Sequence, residues 1–315
     1  MKTDDARVLV LGANGFVGAA IASGLAANGH QVYAYGRADT GVRHPRVELV
    51  QGSIEDSSLL REAIARATHI VHAASLTTPG TSARDPALEI IGNLLPLARV
   101  LECANDFPER RLIYLSSGGT VYGDASDGAD ENAPLRPRSY YGAGKVAAEA
   151  LIHACTATTD WSASVLRPSN LYGPGQSMAR GFAIVPTLFA RALDGAPFHV
   201  WGDGSAVRDY CYIDDIVEAV RVSLPAAGAA HYSIYNVSSG CSASVVVLAA
   251  ACERACGRPI RMEFGPARGV DVQYVAPSHA ALAAGLGWQP RIDLAEGLAR
   301  TWRWIESTRS GSANR

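Results

Sequence analysis

Lysine is almost missing from this chain. Of its 28 basic residues, 26 are arginine; the two lysines are Lys2, near the N-terminus, and Lys145. An excess of either charge is missing too: a net charge of −2 gives no electrostatic reason to expect nucleic acid or an anionic membrane as a partner. Apolar runs such as 244–251 fall far short of the ~20 residues a membrane-spanning helix needs. The opening stretch places acids ahead of an apolar run that ends in glycines, which does not fit a secretion signal. Cysteine is sparse, six residues at irregular spacing, which speaks against a disulfide scaffold and fits a reducing, cytoplasmic setting. Cys252 and Cys256 stand four apart with no second ligand pair, so they read as small buried thiols and no metal is expected.

What the chain does have is length for one large domain or two coupled ones, and an alternating pattern. Short apolar, β-rich runs occur at Arg7–Leu11, Gln31–Tyr35, Val47–Gln51, His69–His72, Arg111–Leu115 and Ala163–Leu166. Helical patterns lie between them at Phe16–Asn28, Ser57–Ala67, Pro86–Asn105 and Tyr140–Ala157. Apolar strands separated by helices predict a parallel sheet covered on both faces, a doubly wound α/β (Rossmann) fold with its ligand beyond the carboxyl ends of the strands. After Pro168 the pattern loosens, and glycine and proline at 171–176, 195–197 and 202–204 suggest loops that wrap a ligand. The polar residues 306–315 read as a disordered tail.

Gly12, Gly15 and Gly18 follow the first strand and open the first helix, with Ala13, Asn14, Phe16 and Val17 between them. Such glycines let the backbone turn tightly and approach a pyrophosphate at a helix N-terminus, which points to a dinucleotide. The spacing alone would arise by chance about 0.3 times in such a chain; the strand before it and the helix after it give it meaning. An acid at the end of the second strand would suit the ribose of NAD, and an arginine would suit the 2′-phosphate of NADP. Here Tyr35 is followed by Gly36 and Arg37, with Asp39 two residues on. Arg37 favours NADP, Asp39 could still serve a ribose, and an arginine simply exposed in a loop fits as well.

Tyr141 and Lys145 fall at i and i+4, on one helical face, where chance would supply about 0.08 such pairs. A nearby cation favours phenolate over phenol and so brings a tyrosine toward proton transfer at working pH. An ammonium also offers compact donors to ribose hydroxyls. Upstream, Ser116, Ser117 and Thr120 sit at the carboxyl end of a strand, where a hydroxyl can meet a substrate oxygen.

Together these residues resemble the extended short-chain dehydrogenase/reductase family, and within it the NAD-dependent nucleotide-sugar epimerase/dehydratase group that includes the UDP-glucose 4-epimerases. The likeness spans roughly residues 6–305 and includes Val71-His72-Ala73-Ala74, Asn93, Ser116–Gly123, Arg167–Gly175, Trp201–Tyr210, Tyr235–Gly240, Arg268–Asp271 and Leu286–Pro290. The resemblance implies that Tyr141 acts as base and acid on the sugar 4-hydroxyl. Lys145 would hold the nicotinamide ribose, and a hydroxyl of Ser117 or Thr120 would assist. It implies cofactor contacts at Gly12, Asn14, Gly15, Phe16, Val17, Gly18, Arg37, Ser53, Ile54, Ala73, Ala74, Asn93 and Pro168. Asn170, Arg208, Arg268 and Asp271 would hold the nucleotide diphosphate, with Ile184, Val200 and Trp201 flanking the base; bidentate arginines suit a diphosphate. A dinucleotide-binding domain would comprise 1–168 and about 207–237, and a smaller substrate domain 169–206 and 238–305. Homodimers would form through helices near 86–105 and 140–157.

Three positions depart from the group. Gly118 stands where galactose-type epimerases carry their serine, Gly36-Arg37 replaces the acid that ends the second strand, and Ser53 replaces the aspartate near adenine. The Asp-Glu pair of 4,6-dehydratases is also missing, since Gly119 and Thr120 stand there; expelling the 6-hydroxyl needs an acid, so dehydration is not expected. The expectation is an NAD- or NADP-dependent 4-epimerase of a UDP-hexose or UDP-N-acetylhexosamine, working through a 4-keto sugar. Small residues at Gly118 and Ala183 would permit a bulky 2-substituent. The alternatives are an NADPH-dependent reductase of a 4-keto-6-deoxy nucleotide sugar and, less in keeping with an intact Tyr–Lys pair, a non-catalytic nucleotide-binding relative.

Overall fold

A computed structural model describes residues 6–83, 85–124, 128–178, 183–225, 230–267 and 272–313. The first half runs β1 (Arg7–Leu11), α1 (Phe16–Ala27), β2 (Gln31–Gly36), β3 (Val47–Gln51), α2 (Ser57–Arg66), β4 (His69–His72), α3 (Pro86–Glu89), α4 (Leu95–Leu101), β5 (Arg111–Leu115), α5 (Tyr140–Thr158) and β6 (Ser162–Pro168). The second half runs β7 (Asn170–Tyr172), α6 (Ile184–Asp194), β8 (Phe198–Trp201), β9 (Val207–Tyr212), α7 (Ile213–Ser223), β10 (Tyr232–Val237), β11 (Ser242–Ser244), α8 (Val245–Cys256), β12 (Met262–Gly265), β13 (Tyr274–Val275), α9 (Ala280–Leu286) and α10 (Leu294–Ala313).

Seven strands form one parallel sheet in the order β10-β6-β5-β4-β1-β2-β3. This is the doubly wound fold expected from the alternation. Strand period explains its two cores: Val8 and Val10 face α1 and α7, whereas Leu9 and Leu11 join Leu60, Ile64, Leu97 and Ile152 of α2, α4 and α5. The chain reverses its direction of winding between β1 and β4, and ligands of such folds bind beyond that crevice. Local chemistry starts the covering helices. Asp56 caps α2 by accepting from the Leu59 amide, and Leu60, Ala63 and Ile64 form its buried stripe.

Three expectations need correction. The helix expected over 86–105 is not continuous: Ile90–Leu94 widens into a π turn between α3 and α4. Pro96 has no amide to offer and its ring would crowd the carbonyl of Gly92, which the wider turn relieves. Second, Val207–Tyr212 does not extend the large sheet. As β9 it pairs with β7, β11 and β13 in a smaller sheet, so only α7 and β10 of the stretch 207–237 belong to the large layer. Third, the tail expected to be disordered from 306 is helical, because α10 continues to Ala313. Its Trp302 and Ile305 are core residues, with Trp302 tilted on Phe189 at 5.3 Å, and the polar residues beyond continue the helix they anchor. A parallel β8–β12 pair completes the C-terminal half. Among the described residues no helix is long and apolar enough to cross a membrane.

Candidate active site

The glycine turn sits at the carboxyl ends of β1 and β4. Gly12 adopts φ +87°, and a Cβ there would lie 2.6 Å from the Cα of Ala74. The turn and the small pair Ala73–Ala74 are therefore pressed together, and only glycine fits. Gly18 is equally constrained, since a Cβ would lie 2.3 Å from the Gly12 carbonyl oxygen. Gly15 begins α1 without a side-chain cap, and the first turn, with Phe16 and Val17, carries no acid. Its N-terminal amides are thus left for an anionic ligand, which is the cradle a pyrophosphate requires.

Asn14 works inside the protein. Its amide donates to the carbonyls of Ala38 (2.7 Å) and Asp39 (3.1 Å), and its oxygen lies where a Cβ on Gly36 would be, 1.7 Å away. No acid could stand at Gly36 without displacing Asn14. Asp39 is tied to Arg43 at 2.5 Å, which with the Gly41 amide holds its carboxyl down to about 2. Arg37 is exposed and makes no side-chain hydrogen bond or ion pair among the described residues. Ser53 and Ile54 follow β3 along the same edge, and the Tyr35 hydroxyl donates to the Ser53 carbonyl at 2.8 Å.

Ser139 caps α5 by accepting from the Gly142 amide, and α5 then carries Tyr141, Lys145 and Glu149 at four-residue spacing. A Cβ on Gly142 would lie 2.7 Å from the Thr120 carbonyl oxygen, so the helix lies directly on the Ser117–Thr120 loop. The Lys145 ammonium donates to the Leu115 carbonyl (2.9 Å) and the Tyr114 hydroxyl (3.2 Å), and stands 5.5 Å from the centre of the Tyr141 ring. Burial pulls Lys145 down to about 8, against the charges of Glu89 and Glu149, which raise it. Burial also pushes the Tyr141 phenol well above its ordinary range, with Glu89 adding to the rise. The expectation that Lys145 lowers the phenol is thereby corrected for the protein alone: desolvation dominates, and the ammonium is hydrogen-bonded elsewhere.

Gly118 has a packing reason. A Cβ there would lie 2.7 Å from the carbonyl oxygen of Arg167, and its amide donates to the Pro168 carbonyl at 2.8 Å. Its small size serves the β5–β6 contact, so it does not argue for a bulky sugar substituent. The Thr120 hydroxyl makes one long contact to the Ser117 carbonyl (3.5 Å), and both hydroxyls stay candidates to assist Tyr141. Asn170 faces Gly119 and donates to the Asp209 carbonyl at 2.9 Å. The guanidinium of Arg208 holds the carbonyls of Val207 (2.8 Å), Val272 and Gln273 (3.4 Å). Ile184 opens α6; at the end of β8, Val200 is buried and Trp201 is 51 % exposed. Arg268 and Asp271 lie outside the described residues.

Residues 8–238 match the NAD dependent epimerase/dehydratase family. The chain belongs to this family. A UDP-glucose 4-epimerase of Mycolicibacterium smegmatis is 35% identical over 307 residues, 94% of this chain and 97% of that one. Among solved structures, the UDP-glucose 4-epimerase of Thermotoga maritima with UDP-glucose has a TM-score of 0.89 at 27% identity, covering 96% of this chain and 99% of that chain. The UDP-glucose 4-epimerase of Thermus thermophilus in complex with NAD has a TM-score of 0.87 at 29% identity, covering 95% and 99%. The family match encloses the glycine turn, Tyr141, Lys145, Asn170 and Arg208.

Beside these residues stand others whose part in the site the motifs did not show. His72, at the end of β4, is fully buried beside Tyr114, and neither ring nitrogen has a partner among the described residues. Burial, with Lys145 adding, pushes it down to about 3, so it is neutral. Asn93, expected to touch the cofactor, spends its amide within the protein: the oxygen accepts from Leu76 (2.8 Å) and Ser75 (3.3 Å), and the nitrogen donates to Thr77 (2.6 Å) and Glu89 (2.8 Å). Its partner Glu89 had one signal in the sequence, an acid four residues before Asn93 within the apolar stretch 88–97.

Proposed function

We propose that this chain is a 4-epimerase of a UDP-linked sugar, either a hexose or an N-acetylhexosamine, with NAD as its cofactor. The observation that carries this reading is the packing of Tyr141 and Lys145 on the Ser117–Thr120 loop, with no carboxylate on that loop. The family includes dehydratases, but Gly119 and Thr120 cannot protonate a departing 6-hydroxyl. Loss of that hydroxyl needs an acid.

The glycine cradle fits a dinucleotide, and Gly12, Gly15, Phe16, Val17 and Gly18 would hold its pyrophosphate, with Ala73–Ala74 giving clearance. Ser53 and Ile54 would meet the adenine end, and Pro168 and Lys145 the nicotinamide end. When bound, NAD would supply a two-electron acceptor and donor for the hydride of the sugar C4. The Tyr141 phenol would first release its own proton to solvent, favoured by the nearby Lys145 ammonium; the phenolate would then take the proton of the 4-hydroxyl as the carbonyl forms and give it back afterwards. Ser117 or Thr120 donates to the sugar oxygen. Lys145 keeps the site cationic while its other donors stay fixed on Leu115 and Tyr114. Asn170 and Arg208 would orient the diphosphate, together with Arg268 and Asp271.

Arg37 favours a second reading, NADPH-dependent reduction of a 4-keto-6-deoxy nucleotide sugar with the same Tyr–Lys pair. Two measurements decide. Denaturing the purified protein should release NAD, whereas an empty site with tight NADPH binding would favour the reductase. UDP-glucose or UDP-N-acetylglucosamine should be inverted at C4, and Tyr141→Phe should cut kcat by at least ~10²-fold while NAD stays bound. Full turnover by that variant would remove Tyr141 from the mechanism.

A homodimer belongs to the same proposal. Ile90, Ile91 and Leu95 on the π turn and α4, and Tyr140 and Leu151 on α5, are large apolar side chains left 41–57 % exposed on adjoining helices. A second copy would cover them.

A further inference from the structure

Glu89 ends α3 immediately before the π turn and is 3 % exposed. Thr77 donates its hydroxyl to one carboxylate oxygen, and Asn93 donates its amide to the other at 2.8 Å. The same carboxylate presses on α5: a Cβ on Gly144 would lie 2.3 Å from Oε1 and 2.6 Å from Cγ. Gly144 is three residues after Tyr141 and next to Lys145, so the acid lies against the turn that carries both.

Titratable groups face this pair from several elements. Lys145 meets Glu89 from α3, Glu149 from its own helix, His72 from β4 and Tyr114 from β5; Tyr141 meets Glu89, Lys145 and Tyr114. His72 is neutral. Glu149 is already neutralised by Arg167, whose Nη2 and Nε reach it at 2.6 and 3.1 Å. Glu89 has no arginine, lysine or histidine within ion-pair distance among the described residues. Thr77 and Asn93 donate to separate oxygens, so this position suits a carboxylate, and an amide here would turn its NH2 toward one of the two donors.

We propose that Glu89 is a positioning residue of the Tyr141–Lys145 pair, its buried carboxylate fixing the protonation state in which the pair works. It keeps the lysine ammonium charged in a dry site, so that the cation is in place beside Tyr141. The directions already given for Lys145 and Tyr141, both raised by Glu89, agree with this placement. The consequence for activity rests on the epimerase reading, but the electrostatic coupling does not.

The near absence of lysine makes the test direct. In protein labelled with ¹⁵N at lysine Nζ and ¹³C at Cε, only Lys2 and Lys145 give signals, and Lys145→Arg assigns them. Glu89→Gln removes a negative charge, which lowers the pKa of any neighbour it had favoured in protonated form. The Lys145 titration should therefore move down by about one pH unit, and Glu89→Asp should restore most of it. With UDP-glucose as the probe substrate, the pH profile of kcat should shift downward in Glu89→Gln by a similar amount. An unmoved Lys145 titration in folded Glu89→Gln would overturn the proposal, whatever happens to kcat. Loss of kcat and thermal stability together with an unmoved pH profile would reduce Glu89 to a structural role. A wild-type protein that turns over no UDP-sugar would defeat the epimerase reading while leaving the titration to judge Glu89.

Discussion

Gly118 shows how a single position can mislead when only its type is compared. Where related epimerases place a serine, the missing side chain invites a functional explanation, but the Arg167 carbonyl leaves no room for any Cβ. Gly118→Ser should therefore lower stability by about 1–3 kcal/mol in denaturant unfolding, by forced overpacking, and should not raise turnover. A stable, faster variant would show that β6 yields and that the serine's absence has another cause. Gly36 is the same kind of residue, excluded from bearing an acid by Asn14. Both glycines were visible in the sequence. Their reasons were not, because the blocking atoms lie 22 and 49 residues away in the chain.

Among the elements, α5 carries most of the chemistry, and its stability depends on the buried ion pair one turn beyond Lys145 on the same face. Glu149 and Arg167 are 5 % and 2 % exposed, and Ser116 and Tyr122 add hydrogen bonds to them. Removing one member of such a buried pair leaves an uncompensated charge, which costs about 3–5 kcal/mol. Glu149→Ala should lower stability by that amount, and Glu149→Leu combined with Arg167→Met should cost clearly less, as thermal and denaturant unfolding would reveal. Equal losses would mean that packing, not charge, dominates. The helix itself was legible from its apolar pattern and the Tyr–Lys spacing. The π turn ahead of Pro96 was not, since proline announces a break in a regular helix without stating which neighbouring turn absorbs it.

For the whole molecule, the exposed apolar side chains on the π turn, α4 and α5 are a feature that a lone chain leaves unexplained. If a second copy covers them, Ile91→Glu should convert a dimer to a monomer in sedimentation velocity, since it places a charge inside the interface. Secondary structure should be unchanged, because Ile91 is 57 % exposed in the single chain. A wild-type monomer would remove the dimer from the proposal. The same scale explains the misplaced boundary at 207–212. That boundary was implied by the family resemblance; the stretch holds Arg208 and Asp209 and has no local mark of the sheet it joins, and only its pairing with β7, β11 and β13 assigns it to the smaller one.

By itself the sequence determined what depends on neighbours in the chain. The alternation of strand and helix, the glycine turn at the first β–α junction, and the shared face of Tyr141 and Lys145 all follow from local periodicity, caps and turn chemistry. Tertiary structure alone decided what those residues experience: which carbonyl crowds Gly118, which acid lies on Gly144, and that burial, with Glu89 adding, raises the Tyr141 phenol. Desolvation and charge interaction depend on distance in space, and in this fold the residues that set them come chiefly from β4, α3 and β5, well before α5 in the chain. Lys145 spans both kinds of information. Its isolation among arginines marked it in the sequence, and the contacts to Leu115, Tyr114 and the nearby Glu89 show why a compact, titratable ammonium belongs there.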